Sequence, residues 1–174
     1  AVTSLSVAQR AASAGFWDWD IRTGALRWSD ELFQLFGLDP RADVAEFAVW
    51  RKVVHPDDLA QAEARIAEAL ERKTPLYNRY RIVRATGDVR WIDVHGDVVR
   101  DESGAATRMT GLCIDVTDRV AAEEALRESE GKLRLFVEHA PCALVMMDER
   151  MRYVAVSWRW LSDYGLDDSI IGRS

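Results

Sequence analysis

From Phe16 to Ile21 the chain alternates large apolar and acidic side chains (FWDWDI), the period of a strand with one wet face. Arg22-Thr23-Gly24 reads as a turn and Ala25 to Trp28 as a second strand, so 16–28 is a predicted hairpin. Ahead of it, residues 4–14 (SLSVAQRAASA) read as a helix stopped by Gly15. Behind it, Ser29-Asp30-Glu31 caps a short helix carrying Leu32, Phe33, Leu35 and Phe36, and Gly37 ends it. Phe47 to Val54 is another short helical piece. His55-Pro56-Asp57-Asp58 opens the longest helix of this half, 57–73: proline suits a position whose N–H has no partner, and the two aspartates favour the positive end of the helix dipole.

Three strand-like runs follow, 76–85, 89–100 and 106–116, joined by Thr86-Gly87-Asp88 and by Asp101-Glu102-Ser103-Gly104, both good hairpin turns. The order predicts an α+β fold, a five-stranded antiparallel sheet with its helices inserted between strands 2 and 3. Thr117 is placed to cap a long helix from Asp118 to about His139. Along it Ala122, Leu126, Ser129, Leu133, Phe136 and Ala140 recur at alternating spacings of four and three, a short coiled-coil seam. Glu123–Arg127, Glu128–Lys132 and Glu130–Arg134 are i,i+4 pairs in the favourable order. A helix with one apolar stripe and no matching long partner predicts burial against its own copy in a parallel homodimer. Folding back on its own sheet is the competing outcome.

Sliding the sequence along itself by 128 residues aligns Asp20 with Asp148 and Gly37-Leu38-Asp39 with Gly165-Leu166-Asp167, without a gap. Helix, hairpin and short helix thus recur at 130–166 after first appearing at 2–38. The second copy stops before a long helix and closing strands, and a strand pair without partners is marginal in water.

Composition narrows the function. A net charge of -6 argues against nucleic acid, and the Arg79, Arg81, Arg84 cluster is answered by Asp88, Asp93 and Asp97. Apolar runs such as 143–147 fall far short of the roughly 20 residues of a membrane helix, so no membrane contact is expected in this segment. Ser4, Ser6, Gln9 and Arg10 interrupt any signal-peptide core at the start. Cys113 and Cys142 form no CxxC pair or disulfide framework, which favours a reducing, cytoplasmic setting.

The ordered set Gly15-Phe16-Trp17-Asp18-Trp19-Asp20, Val54-His55-Pro56-Asp57-Asp58, Tyr80-Arg81-Ile82-Val83, Thr86-Gly87-Asp88-Val89-Arg90-Trp91 and Gly111-Leu112-Cys113-Ile114-Asp115-Val116-Thr117 resembles a PAS domain with its C-terminal PAC segment. The last run matches the family's G-x-x-x-D-I-T junction with Val116 for the usual Ile, and 123–130 resembles the linker joining successive PAS domains in bacterial sensor proteins. The resemblance implies an N-terminal linker helix at 1–14, a complete PAS/PAC domain at 15–117, a signalling helix at 118–140 and the truncated start of a second PAS domain at 141–174. It implies a sensory or dimerisation module, not an enzyme, from a signalling protein such as a sensor histidine kinase. Signal would pass through Asp115 and Thr117 to the linker helix, with Asp115 pairing with an arginine or a backbone N–H; Arg90 is one candidate. The dimer seam would be Ala122, Leu126, Ser129, Leu133 and Phe136.

Other chemistry is thin. His55, His95 and His139 share no metal spacing, and no metal site is expected. His95, mid-strand, could face a pocket, but the family's haem-binding branch carries its axial His on the long helix, where 57–73 has none. Neither cysteine lies in the Asn-Cys-Arg-Phe-Leu-Gln-like run of the flavin photoreceptors. No cofactor is named by the sequence, and no catalytic residue either. Five of seven Trp fall in the first copy and either line or fill a cavity. Its candidate lining is Trp28, Leu32, Phe36, Trp50, Val54, Tyr80, Ile92, Leu112 and Ile114, which would take an unknown small molecule; filling is the favoured reading. The alternatives are a flavin- or haem-carrying redox or gas sensor and a PAS spacer in a cyclic-di-GMP enzyme.

Overall fold

The computed structural model describes residues 14–173. The expected helix over 4–14 lies outside them except for Ala14, which already belongs to the first strand. The chain divides into two compact units between Asp118 and Arg119.

In the first unit, β1 (Ala14–Asp20) and β2 (Leu26–Trp28) form the expected hairpin. Three helices follow: α1 (Asp30–Phe36), α2 (Phe47–Val53) and α3 (Pro56–Arg72). Then come β3 (Leu76–Val83), β4 (Val89–Arg100) and β5 (Ala106–Asp115). The sheet order is β2-β1-β5-β4-β3 with every neighbouring pair antiparallel.

Local chemistry sets the helix ends. The Ser29 hydroxyl accepts from the Leu32 amide, and Gly37 closes α1 at φ 74°, a left-handed conformation that favours glycine. His55 Nδ1 accepts from the Asp57 amide ahead of Pro56. Asp58 does more than complement the dipole: its carboxylate takes the Arg81 backbone amide at 2.8 Å and the Arg81 guanidinium at 2.5 and 2.9 Å, tying the start of α3 to β3. These bonds from Arg81 hold the Asp58 carboxyl below its ordinary value. The other clustered arginines are also matched, Arg79 by Asp93 and Arg84 by Asp88.

The inner face of the sheet is decided by two glycines. Gly96 on β4 and Gly111 on β5 stand opposite each other, and Trp17 pairs with Gly111 from β1. A Cβ on Gly96 would lie 2.7 Å from Trp17 Cζ2, and one on Gly111 would lie 2.5 Å from the same atom and collide with the His95 carbonyl oxygen. The indole therefore occupies the space that two side chains would need. Around it Leu32, Phe36, Trp50, Tyr80, Ile82, Ile92, Val94, Met109 and Cys113 are buried in one core.

The second unit contains most of α4 (Thr117–Glu138), the hairpin β6 (Val145–Met147) and β7 (Tyr153–Val156), and α5 (Trp158–Tyr164). Ser157 caps α5 as Ser29 caps α1, and Gly165 closes it as Gly37 closes α1, each pair 128 residues apart. Asp148 accepts the Arg150 and Arg152 amides in its turn, as Asp20 accepts those of Arg22 and Thr23. The second hairpin shifts register between Met146 and Met147, an irregularity the first lacks. On α4, Glu128 and Lys132 pair at 2.6 Å as expected, whereas Glu123 pairs back to Arg119. Among the described residues no helix is long and apolar enough to cross a membrane.

Two outcomes follow. Gly111→Ala forces its methyl into backbone and indole together, and should cost about 1–3 kcal/mol or more of stability in urea denaturation. Asp58 has a lowered folded pKa, so its contribution is present above the ordinary value of 3.8 and lost as pH falls through the folded one. Asp58→Asn should lower stability at neutral pH by about 1–3 kcal/mol, with the gap to wild type closing in acid.

Candidate functional site

Between the inner face of the sheet and the helices lies a cavity of about 50 Å³. Trp28, Leu32, Phe36, Trp50 and Tyr80 line it as expected, joined by Trp17, Trp19, Phe47, Asn78, Met109 and Cys113. Val54 and Ile92 are buried in the same core but do not reach the cavity wall; Val54 is taken up by a bridge to Ile82. Leu112 and Ile114 are corrections of a different kind. They pair with Phe16 and Ala14 and alternate with the inward positions Gly111 and Cys113, which turns them to the outer face. His95 is outward too, edge-on to Tyr77, and lines no part of this cavity.

Edge-to-face aromatics build the wall. Trp19, Phe47, Trp50 and Tyr80 follow one another at centroid distances of 4.8, 6.0 and 5.9 Å, and Trp28 contacts Phe36 at 5.3 Å. Trp50 Nε1 donates to the Tyr80 hydroxyl at 3.0 Å, and the Cys113 thiol interacts with that hydroxyl. Burial pushes the Tyr80 hydroxyl well above its ordinary value and the Cys113 thiol to about 12. Trp17 Nε1 is the one buried side-chain polar atom without a hydrogen-bond partner among the described residues. Ligand sites for cofactor-sized molecules run to about 300–1,000 Å³. The cavity of about 50 Å³ is far smaller than these, and no histidine stands in its wall.

The second locus is the end of β5. Asp115 Oδ1 accepts from the Thr117 amide at 2.9 Å and from the Thr117 hydroxyl at 2.6 Å. The Thr117 oxygen in turn accepts the Trp91 amide at 2.9 Å, and the Trp91 carbonyl takes the Val116 amide at 2.9 Å. The expected role of Thr117 as a cap preceding the helix is therefore corrected: Thr117 is the first helical residue, and its hydroxyl is committed to β4 and Asp115. Arg90 Nη1 stands 3.7 Å from Asp115 Oδ2, while Arg90 Nε bonds Asp88 at 2.9 Å. Arg90 is thus shared between two carboxylates.

The family described as PAS fold matches residues 25–113, just over half of the chain. The chain belongs to the PAS fold family. Sensor protein FixL of Bradyrhizobium diazoefficiens is 30% identical over 134 residues, covering 77% of this chain and 26% of its own length. Probable diguanylate cyclase DgcE of Escherichia coli is 26% identical over 148 residues, 85% of this chain and 13% of that protein. The crystal structure of a sensory box histidine kinase/response regulator from Burkholderia thailandensis has 35% identity and a TM-score of 0.64, covering 75% of this chain and 97% of that one. The chain spans about a quarter or less of the length of these curated relatives.

As a PAS sensor domain it shows no metal-holding group of His, Cys, Asp or Glu among its described residues. The inward residues that sequence reasoning missed, Met109 and Cys113, share the face of Gly96 and Gly111, and a mid-strand glycine marks a close approach on its own face. In the native protein a thiol reagent at pH 8 should modify Cys142, which is exposed, and leave Cys113 intact until denaturant is added. Peptide mapping of the labelled protein checks it.

Proposed function

We propose that this chain is a non-catalytic, cytoplasmic sensory and dimerisation module of a larger bacterial signalling protein, of the sensor histidine kinase kind. The observation that carries it is the apolar stripe of α4, a helix that begins two residues after the end of β5. Leu126, Leu133 and Phe136 are 61%, 49% and 69% exposed, and Ala122 and Ser129 between them are exposed as well. Their alternating spacing of four and three suits a left-handed coil with an identical helix, which buries the stripe along its length. A parallel arrangement sets two PAS domains side by side at the same end of the coil. Such a helix turns a small change at the Asp115–Thr117 lock into a change of register that an output domain reads.

The cavity of about 50 Å³ has room for a ligand of only a few heavy atoms. This favours a small molecule over a cofactor-carrying redox or gas sensor. The cap, turn and C-terminal glycine that recur 128 residues on support reading 141–174 as the start of a second PAS domain. Free Cys113 and Cys142 support the cytoplasmic placement.

Light scattering on the 174-residue chain should show a dimer, and Leu126→Glu with Leu133→Glu should make it monomeric with an unchanged circular dichroism spectrum. A dimer that survives both substitutions sinks the linker-helix assembly and moves the interface elsewhere.

A further inference from the structure

Helix α1 forms part of the cavity wall through Leu32 and Phe36. Its C-terminus is gripped from the β3–β4 turn, where Arg84 Nε donates to the Leu35 carbonyl at 2.9 Å. The Arg84 side chain also lies across Gly37, close enough that a Cβ there would sit 3.1 Å from Arg84 Cγ. Asp88, on the far side of the same turn, holds two arginines: Arg84 Nη1 at 3.5 Å and Arg90 Nε at 2.9 Å. Arg90 Nη1 then reaches Asp115 Oδ2 at 3.7 Å, and Asp115 Oδ1 holds Thr117. Alternating charges therefore run Arg84, Asp88, Arg90, Asp115 from the last turn of α1 to the first residue of α4.

We propose that this row is the route by which a displacement of α1 at the cavity reaches the linker helix. The inference rests on the sensory reading given above and names its regulation. Each inner member serves two partners of opposite sign, so a change at one end redistributes the others. Withdrawal of the Leu35 carbonyl frees Arg84 from α1 and lets it close on Asp88. Asp88 then holds Arg90 less tightly, and Arg90 can close the 3.7 Å gap to Asp115. Asp115 is the group that anchors Thr117, so the junction feels the change directly. The side chains of Arg84 and Asp115 are largely covered, whereas those of Asp88 and Arg90 are about one-third exposed, so the middle of the row has room to move.

The test is a double-mutant cycle on the 174-residue chain, read by NMR hydrogen exchange at the Trp91 amide, which Thr117 holds. Phe36→Leu perturbs α1 at the cavity wall without a ligand. It should change Trp91 exchange by about 3- to 10-fold. In an Asp88→Asn background the same Phe36→Leu change should leave Trp91 exchange within error of Asp88→Asn alone. If the effect of Phe36→Leu persists undiminished in Asp88→Asn, the row is not the route, and the sensory reading stands with the sheet as carrier. If Phe36→Leu leaves Trp91 unchanged in the otherwise native chain, both the route and cavity-to-linker signalling are overturned. Arg84→Met cuts the row one link earlier, is judged by the same criterion, and serves if Asp88→Asn does not fold.

Discussion

Trp17 sits over the Gly96–Gly111 pair, and much of the molecule depends on that contact. One lateral row crosses four strands, Trp17 to Gly111 to Gly96 to Leu76, with the glycines in the middle. Slipping β5 by one residue would put Thr110 or Leu112 under the indole, where even a single methyl group has no room. The register of the central strands is therefore fixed by steric exclusion as well as by hydrogen bonds. That register sets Cys113 toward Tyr80, and it brings Trp91 against Thr117 two residues after the end of β5. The same indole takes up space above the sheet, which is one reason the remaining cavity is small. Cavity size, strand register and the geometry of the linker junction thus share one cause.

Helices and turns were legible because their signals are local. Ser29, Gly37 and the His55-Pro56 pair mark boundaries through bonds made within a few residues, and those bonds form as the residue types demand. The strand faces were harder. Leu112 and Ile114 are more apolar than Gly111 and Cys113, so a reading by hydrophobicity puts the wrong set inward. What decides the matter is a neighbouring strand's tryptophan, which no stretch of β5 encodes. Thr117 was misread for a related reason. Beside Asp118 and a helical run it looks like a cap, yet its hydroxyl is drawn away by an amide 26 residues earlier in the chain. His95, mid-strand, does face a pocket, but one on the outer face of the sheet beside Tyr77.

The second unit separates local from long-range information cleanly. Ser157, Asp148 and Gly165 repeat the hydrogen bonds of Ser29, Asp20 and the geometry of Gly37, and the hairpin and helix form accordingly. Ser157 is fully buried and bonds Leu144, Cys142 and Trp160 at once. Helix α5 nevertheless buries none of its side chains, and Trp158 and Tyr164 stand exposed. In the first unit the equivalent helix buries four residues against a sheet whose other three strands come much later in sequence. Capping and turn chemistry produce the elements, but only distant strands can bury their faces.

The junction combines two kinds of contact, and the contrast bears on how it works. Asp115, Thr117 and Trp91 are joined by hydrogen bonds of 2.6–2.9 Å, so the first residue of α4 cannot move without the ends of β4 and β5. The Arg90 contact to Asp115 is 3.7 Å, an ion pair beyond hydrogen-bond length, and Arg90 has a closer partner in Asp88. A tight lock ties Thr117 to the strand ends, whereas the shared Arg90 bonds Asp88 and only approaches Asp115. The junction thus pairs short hydrogen bonds at Thr117 with a longer, shared ion pair at Asp115.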